Sequence, residues 1–198
     1  FIFIITVLIN LFSPNSNADI SDLLFQSISI ITTTGFSVGD TSGWAPSIGF
    51  LLLIGAFIGA CSGSVGGGVK SWRVLIMINY AYITLKKMIH PNAVISLKIG
   101  NKSVDDSVAS SVWGFFSIYV ISFIILLLGL LITGLDFESA FSAIGACLNN
   151  LGPGLGEVSN NYQSVTPVGK IILSFAMILG RLEIFTLLVL LTPAFWNK

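Results

Sequence analysis

Charge is scarce in this chain. Only 9% of its 198 residues are Asp, Glu, Lys or Arg, where a soluble domain carries about 25%. That shortage, beside 54% hydrophobic residues and a mean hydropathy of +0.93, excludes a soluble core of this length and predicts an integral membrane protein. The formal charge balances to zero. A nucleic-acid partner would need a basic stripe or an aromatic platform, and neither is present. Histidine occurs once, as His90 beside Pro91, without a companion ligand. The two cysteines, Cys61 and Cys147, sit among apolar and small residues and offer neither metal spacing nor a disulfide framework. No Ser/His/Asp set or carboxylate pair falls at membrane depth, so an enzyme is not expected. The chain also lacks an initiator Met and any charge before Asp19. Residue 1 therefore reads as lying in or at the end of a membrane helix, and the expectation is the C-terminal part of a longer protein.

Basic residues are missing from two long stretches, 13–46 and 135–164, while Lys70, Arg73, Lys86, Lys87, Lys98 and Lys102 crowd the middle of the chain. The positive-inside rule then puts 86–109 and the C-terminus with Lys198 in the cytoplasm and both basic-free regions outside, in a multi-pass plasma-membrane protein.

Residues 1–12 read as the end of a spanning helix. Residues 19–31 are apolar but shorter than the roughly 20 a span needs, and they open on Asp19 and Asp22. Such a segment reads as a re-entrant pore helix with acids at its positive end. As one helix, 47–85 would be about 58 Å long, but Cys61-Ser62-Gly63-Ser64-Val65-Gly66-Gly67-Gly68 interrupts it. A break at that depth is tolerated where it is buried in protein or lines a wet cavity. A clean span is expected over 110–134. A second short helix over 136–148 again opens on acids, Asp136 and Glu138. A Gly-bearing loop covers 149–164, and a last span runs over 165–192, before Pro193.

The halves repeat. Gly35-Phe36-Ser37-Val38-Gly39-Asp40 aligns with Gly152-Pro153-Gly154-Leu155-Gly156-Glu157. In the short helices Asp22, Phe25 and Ile28 match Glu138, Phe141 and Ile144, which requires one inserted residue before the second Gly. The fold class expected is all-α integral membrane, with two parallel helix–pore loop–helix repeats: 1–85 and 110–198, joined by the linker 86–109.

After each short helix, carbonyls followed by a permissive Gly are a means of aiming oxygens at a dehydrated monovalent cation. The candidates are Thr32, Thr33, Thr34, Gly35 and Phe36 in the first loop, and Asn149, Asn150, Leu151, Gly152 and Pro153 in the second. Asn149 and Asn150 are equally suited to bracing the loop by hydrogen bonds. Beneath the loops, the candidates for a constriction are Gly63, Ser64, Gly66, Gly67, Gly68 and Lys70 of the break, together with Arg181 of the last span. A charge at that depth faces a cavity or a partner. Glu183, two residues away on a helix, is poorly placed to be that partner. Gly55, Gly59, Gly63 and Gly67 also fit a helix-packing pattern. The run into Val69-Lys70-Ser71 is no phosphate loop, since Val intervenes and no strand precedes it.

Four features, in this order, resemble the Trk/Ktr/HKT superfamily of potassium transporters, most closely the C-terminal half of a TrkH-type potassium uptake subunit. They are Thr32-Thr33-Thr34-Gly35-Phe36, the break at 61–68, Cys147-Leu148-Asn149-Asn150-Leu151-Gly152-Pro153-Gly154 and Gly180-Arg181-Leu182-Glu183. The resemblance implies four repeats around one potassium pathway, of which this chain supplies the third and fourth. It implies potassium held by the carbonyls of Thr34, Gly35, Leu151 and Gly152, an intramembrane gating loop at the break, a pore-side Arg181 and no organic cofactor. It further implies upstream repeats of the same protein, a homodimer in the lipid bilayer of a bacterial inner membrane, symport, and a cytoplasmic nucleotide-binding regulatory ring. Neither loop carries Thr-Val-Gly-Tyr-Gly, so a sodium-permeable or sodium-coupled transporter of the same fold, or a non-transporting scaffold or sensor, is the alternative.

Overall fold

A computed structural model of the chain describes residues 7, 11, 19–37, 46–59, 66–90, 96–100, 102–159, 161–182, 189 and 193–196. The expected first helix, apart from positions 7 and 11, lies outside the described residues, as do Gly63, Ser64 and Glu183.

The architecture rests on helices α1 (Ile20–Ile31), α2 (Pro46–Ile58), α3 (Ser71–Ile89), α4 (Asp106–Ile132), α5 (Phe137–Leu148) and α6 (Pro167–Arg181). An exception to the all-α expectation lies between α3 and α4. There β1 (Lys98–Ile99) pairs antiparallel with β2 (Lys102–Ser103), with Lys98 opposite Ser103. The positive φ of Gly100 (59°) supplies the tight turn that joins them. Among the described residues α4, 27 residues long, is the helix long and apolar enough to cross a membrane.

The short helices are built alike. Each has 12 residues and an Asp at its N-cap, Asp19 for α1 and Asp136 for α5. Twelve residues rise about 18 Å, well under a hydrocarbon core of about 30 Å. Their C-terminal hydrogen bonds also match. Thr33 N–H donates to Ile30 O and Asn150 N–H to Cys147 O, both at 3.1 Å; Thr34 N–H donates to Ser29 O and Leu151 N–H to Ala146 O, both at 2.8 Å. Pairs run at one constant interval from Asp19/Asp136 through Ile31/Leu148 to Gly35/Gly152. This corrects the helix alignment expected from sequence: no residue is inserted, and Leu24 and Ile28 are the partners of Phe141 and Gly145. The match of Asp22, Phe25 and Ile28 with Glu138, Phe141 and Ile144 follows residue type rather than position.

Beyond α5 the chain doubles back along it. Leu155 N–H donates to Ser142 Oγ (2.9 Å) and, nearer the start of the helix, Glu157 N–H donates to Ser139 Oγ (3.0 Å). Loop and helix thus form a hairpin. Small side chains along α5 let its neighbours approach, and every residue from Ser139 to Leu148 except the half-buried Phe141 is buried. Helices α4 and α6 pack on one side through Tyr119, Leu126, Leu130, Leu173, Ala176 and Leu179. From the other side Leu53 and Phe57 of α2 close over Gly145, and Phe141 lies among Phe50, Phe57, Phe123 and Phe137. A second cluster joins the repeats: Leu23, Ile30, Ile48, Leu52 and Ala56 of the first enclose Ala146 and Leu151 of the second. Helix α1 packs on α2 but leaves Leu24, Phe25 and Ile28 exposed on its far side.

The last span, expected over 165–192, is not one continuous helix. Helix α6 stops at Arg181 with Leu182 as its cap. Gly180, a poor helix former, stands in its last turn, against the end of α5. Positions 183–188 lie outside the described residues.

The N-caps are not equivalent. Asp136 accepts from Ser139 N–H at 3.2 Å, whereas Asp19 makes no side-chain cap bond. Hydrogen bonds from Ser139, its side chain first and its backbone second, hold the Asp136 carboxyl below its ordinary value. Asp136→Ala in the full-length protein should therefore cost about 1 kcal/mol in thermal unfolding, and Asp19→Ala clearly less. Because the folded value is depressed, the charge-dependent part of the Asp136 contribution is complete above about pH 4 and fades as pH falls through the lowered value. Asp136→Asn should lose that pH dependence while keeping the acceptor. Equal melting shifts for the two alanine variants would contradict the assigned caps.

Candidate functional site

The helix dipoles set the electrostatics of the region where the repeats meet. The C-terminal ends of α1 and α5, the negative ends of their dipoles, both lead into the loops expected to line a cation path. In each loop a left-handed residue and a left-handed glycine flank one residue without positive φ. Thr33 has φ 55° and Gly35 φ 80°; Asn150 has φ 54° and Gly152 φ 100°. Asn tolerates this region, whereas a β-branched Thr there is a genuine outlier. Alternation of this kind turns successive carbonyls in a way that neither a helix nor a strand does.

The loops touch. The carbonyl of Leu151 lies where a Cβ on Gly35 would stand, so residue 35 must be glycine for its dihedral and for its neighbour. Gly152 has open space around it and needs glycine for its dihedral alone. Among the described residues the carbonyls of Thr34, Gly35 and Leu151 accept no hydrogen bond. Two other carbonyls are held by hydroxyls: Ser29 donates to Phe36 O and Tyr162 to Gly152 O, each at 2.6 Å. Thr32 Oγ1 donates to Ile28 O at 2.7 Å and pairs with Thr34 Oγ1 at 2.8 Å. Pro153 Cδ lies beside Gly35.

The asparagine side chains take the bracing arrangement. Asn149 is fully buried and its Oδ1 accepts from Tyr119 OH at 2.8 Å. The Asn150 amide spans the last turn of α6 when its oxygen accepts from Arg181 N–H (3.1 Å) and its nitrogen donates to Met177 O (3.3 Å). One turn of the second loop is thereby tied to α4 and to the backbone of Arg181, whose side chain is exposed.

The described part of the break packs directly against this turn. Helix α2 ends at Gly59 (φ 69°), and the chain returns at Gly66, Gly67 and Gly68 (φ 86°). Val69 N–H then donates to Phe57 O at 3.0 Å, and Lys70 (φ 70°) caps α3. Gly67 abuts the carbonyl of Asn149, and Gly180 abuts the carbonyl of Leu148. The structure thus brings Gly67 and the Arg181 backbone onto the same turn of the second loop. Nothing in it describes Gly63 or Ser64.

Sequence reasoning did not single out Tyr119, Tyr162, Ser29, Ser139 or Ser142, the hydroxyls that hold these loops. A signal was present: a hydroxyl in an apolar segment needs a partner when buried.

A family model described as TrkH, cation transport protein, matches residues 1–198. The chain is 51% identical over 175 residues to the Trk system potassium uptake protein TrkH of Halomonas elongata, covering 88% of this chain and 36% of that protein. To the protein of the same name from Escherichia coli K12 it is 48% identical over 179 residues, covering 90% of this chain and 37% of that one. Among solved structures, the potassium transporter TrkH from Vibrio parahaemolyticus aligns with a TM-score of 0.90 and 44% identity, covering 99% of this chain and 42% of that one. The chain therefore spans little more than a third of the length of the curated relatives it matches.

Three glycines are required by close approach, Gly35 by its dihedral as well. Gly35→Ala, Gly67→Ala and Gly180→Ala should each destabilise the full-length protein by about 1–3 kcal/mol, the ordinary cost of overpacking. Gly129→Ala, whose new methyl would meet Ile172 Cδ1 at 3.4 Å, should leave the melting temperature nearly unchanged. Thermal unfolding in detergent reads the difference, and four equal shifts would contradict the packing.

Proposed function

The chain belongs to the TrkH family of cation transport proteins, and from that premise we propose that it is the C-terminal part of a potassium uptake subunit whose two loops form half of the selectivity filter. The observation that carries this reading is the shared pair of left-handed residues two apart in each loop, Thr33 and Gly35 in the first and Asn150 and Gly152 in the second. Beside it stand uncommitted carbonyls at Thr34, Gly35 and Leu151. Potassium entering from outside sheds water, and these carbonyls, with that of Gly152, replace its hydration shell. The α1 and α5 dipoles supply further negative potential at the same level.

Half a filter needs its other half. Helix α2 covers Gly145 and Phe141 of α5, yet Ile28 and Leu24, their partners on α1, stay exposed. An α2-like helix from a preceding repeat fits that face, which supports two upstream repeats in the complete protein. Gating is assigned to the break around Gly63, Ser64, Gly66, Gly67, Gly68 and Lys70, with Arg181 beneath the filter. The contact of Gly67 with the Asn149 carbonyl supports movement of the break acting on the filter. The same reading takes the filter loops as outside, 86–109 and the C-terminus as cytoplasmic, and the assembly as a homodimer in the bacterial inner membrane. A cytoplasmic nucleotide-binding ring regulates it.

The complete protein should restore growth of a potassium-transport-deficient host at low potassium. In liposomes Gly35→Ser should raise relative sodium permeability about tenfold, the effect of roughly 1.4 kcal/mol, and Arg181→Ala should raise leak. Sodium-dependent growth with unaltered selectivity in Gly35→Ser would favour the sodium-permeable alternative. No cation flux from an intact, assembled protein would favour a scaffold.

A further inference from the structure

The filter loops share a backbone but not their hydroxyl clamps. In the first loop Ser29 donates to Phe36 O; in the second Tyr162 donates to Gly152 O. The clamps are not exchangeable. At the repeat interval Ser29 corresponds to Ala146 and Tyr162 to Ala45, neither of which has a hydroxyl. Phe36 corresponds to Pro153 and Gly35 to Gly152. The held carbonyl is therefore one position earlier in the second loop. At the level shared by Gly35 and Gly152, one carbonyl is uncommitted and the other carries a 2.6 Å bond. Tyr162 is well placed to hold it. Its ring packs on the main core cluster, and its hydroxyl lies 4.0 Å from Cys147 Sγ at the end of α5.

We infer that Tyr162 is a positioning residue that sets ion selectivity by holding the Gly152 carbonyl. The inference rests on the filter reading above. A carbonyl that accepts a strong hydrogen bond is fixed in direction and presents a weaker field to an ion. Both effects disfavour collapse around the smaller, more strongly hydrated sodium ion and so favour potassium. Without the hydroxyl the carbonyl regains its second lone pair and its freedom to turn, and sodium is better accommodated.

The test uses the full-length protein reconstituted in liposomes, with the potassium-to-sodium permeability ratio taken from reversal potentials. Tyr162→Phe keeps the ring and should lower the ratio about two- to tenfold, the range spanned by one hydrogen bond of ordinary net strength. A fluorotyrosine at 162, a stronger donor of the same shape, should raise the ratio. The melting temperature separates this from general loosening, since a merely structural role moves stability and leaves the ratio alone. Gly152→Ser is measured beside them. A changed ratio in Gly152→Ser with an unchanged one in Tyr162→Phe overturns the role of Tyr162 and leaves the filter standing. Unchanged ratios in both overturn the filter as well. If Tyr162→Phe does not assemble, the fluorotyrosine protein decides: a lowered or unchanged ratio there overturns the proposal, and a raised one supports it.

Discussion

Three backbone carbonyls in one turn of chain, those of Leu148, Asn149 and Leu151, are each met by a glycine from elsewhere. Gly180 comes from α6, Gly67 from the return of the interrupted segment and Gly35 from the loop after α1. This junction constrains everything around it. Backbone at membrane depth has to be satisfied by protein or by a cavity. Here the end of α5 is enclosed so closely that no side chain fits between it and its neighbours. Glycine at these positions lets three elements share one turn.

The same constraint accounts for the division between hydrophobic packing and hydroxyl bonding. Helix α5 is lined with Ser, Ala and Gly, so α2, α4 and α6 close on it through aromatic and aliphatic side chains. The loops beyond it have little side chain to pack and are held by Ser139, Ser142, Tyr119 and Tyr162. Carbonyls at Thr34, Gly35 and Leu151 are left without hydrogen bonds among the described residues.

Much of this was legible in the residues. Asp19 and Asp136 announce helix starts, the apolar runs behind them are too short to span, and Gly35 and Gly152 mark left-handed backbone; each is a local signal. The break in 47–85 was equally plain, and its described part leaves α2 at Gly59 and re-enters α3 after Lys70. The repeat register of the short helices was misread because Asp22/Glu138 and Phe25/Phe141 match in type while the helix caps, which fix position, differ in partner. The end of α6 at Arg181 and the Tyr119–Asn149 and Tyr162–Gly152 bonds depend on contacts across the fold. No periodicity encodes them.

The central claim is that these carbonyls, and not side chains elsewhere, carry the ion. Anomalous diffraction from crystals of the full-length protein grown with rubidium or thallium in place of potassium tests it most directly. The account predicts an anomalous peak at coordination distance from the carbonyl oxygens of Thr34, Gly35 and Leu151, with that of Gly152 bonded to Tyr162 at its edge. Peaks confined to other parts of the pore, with none against these carbonyls, would contradict it.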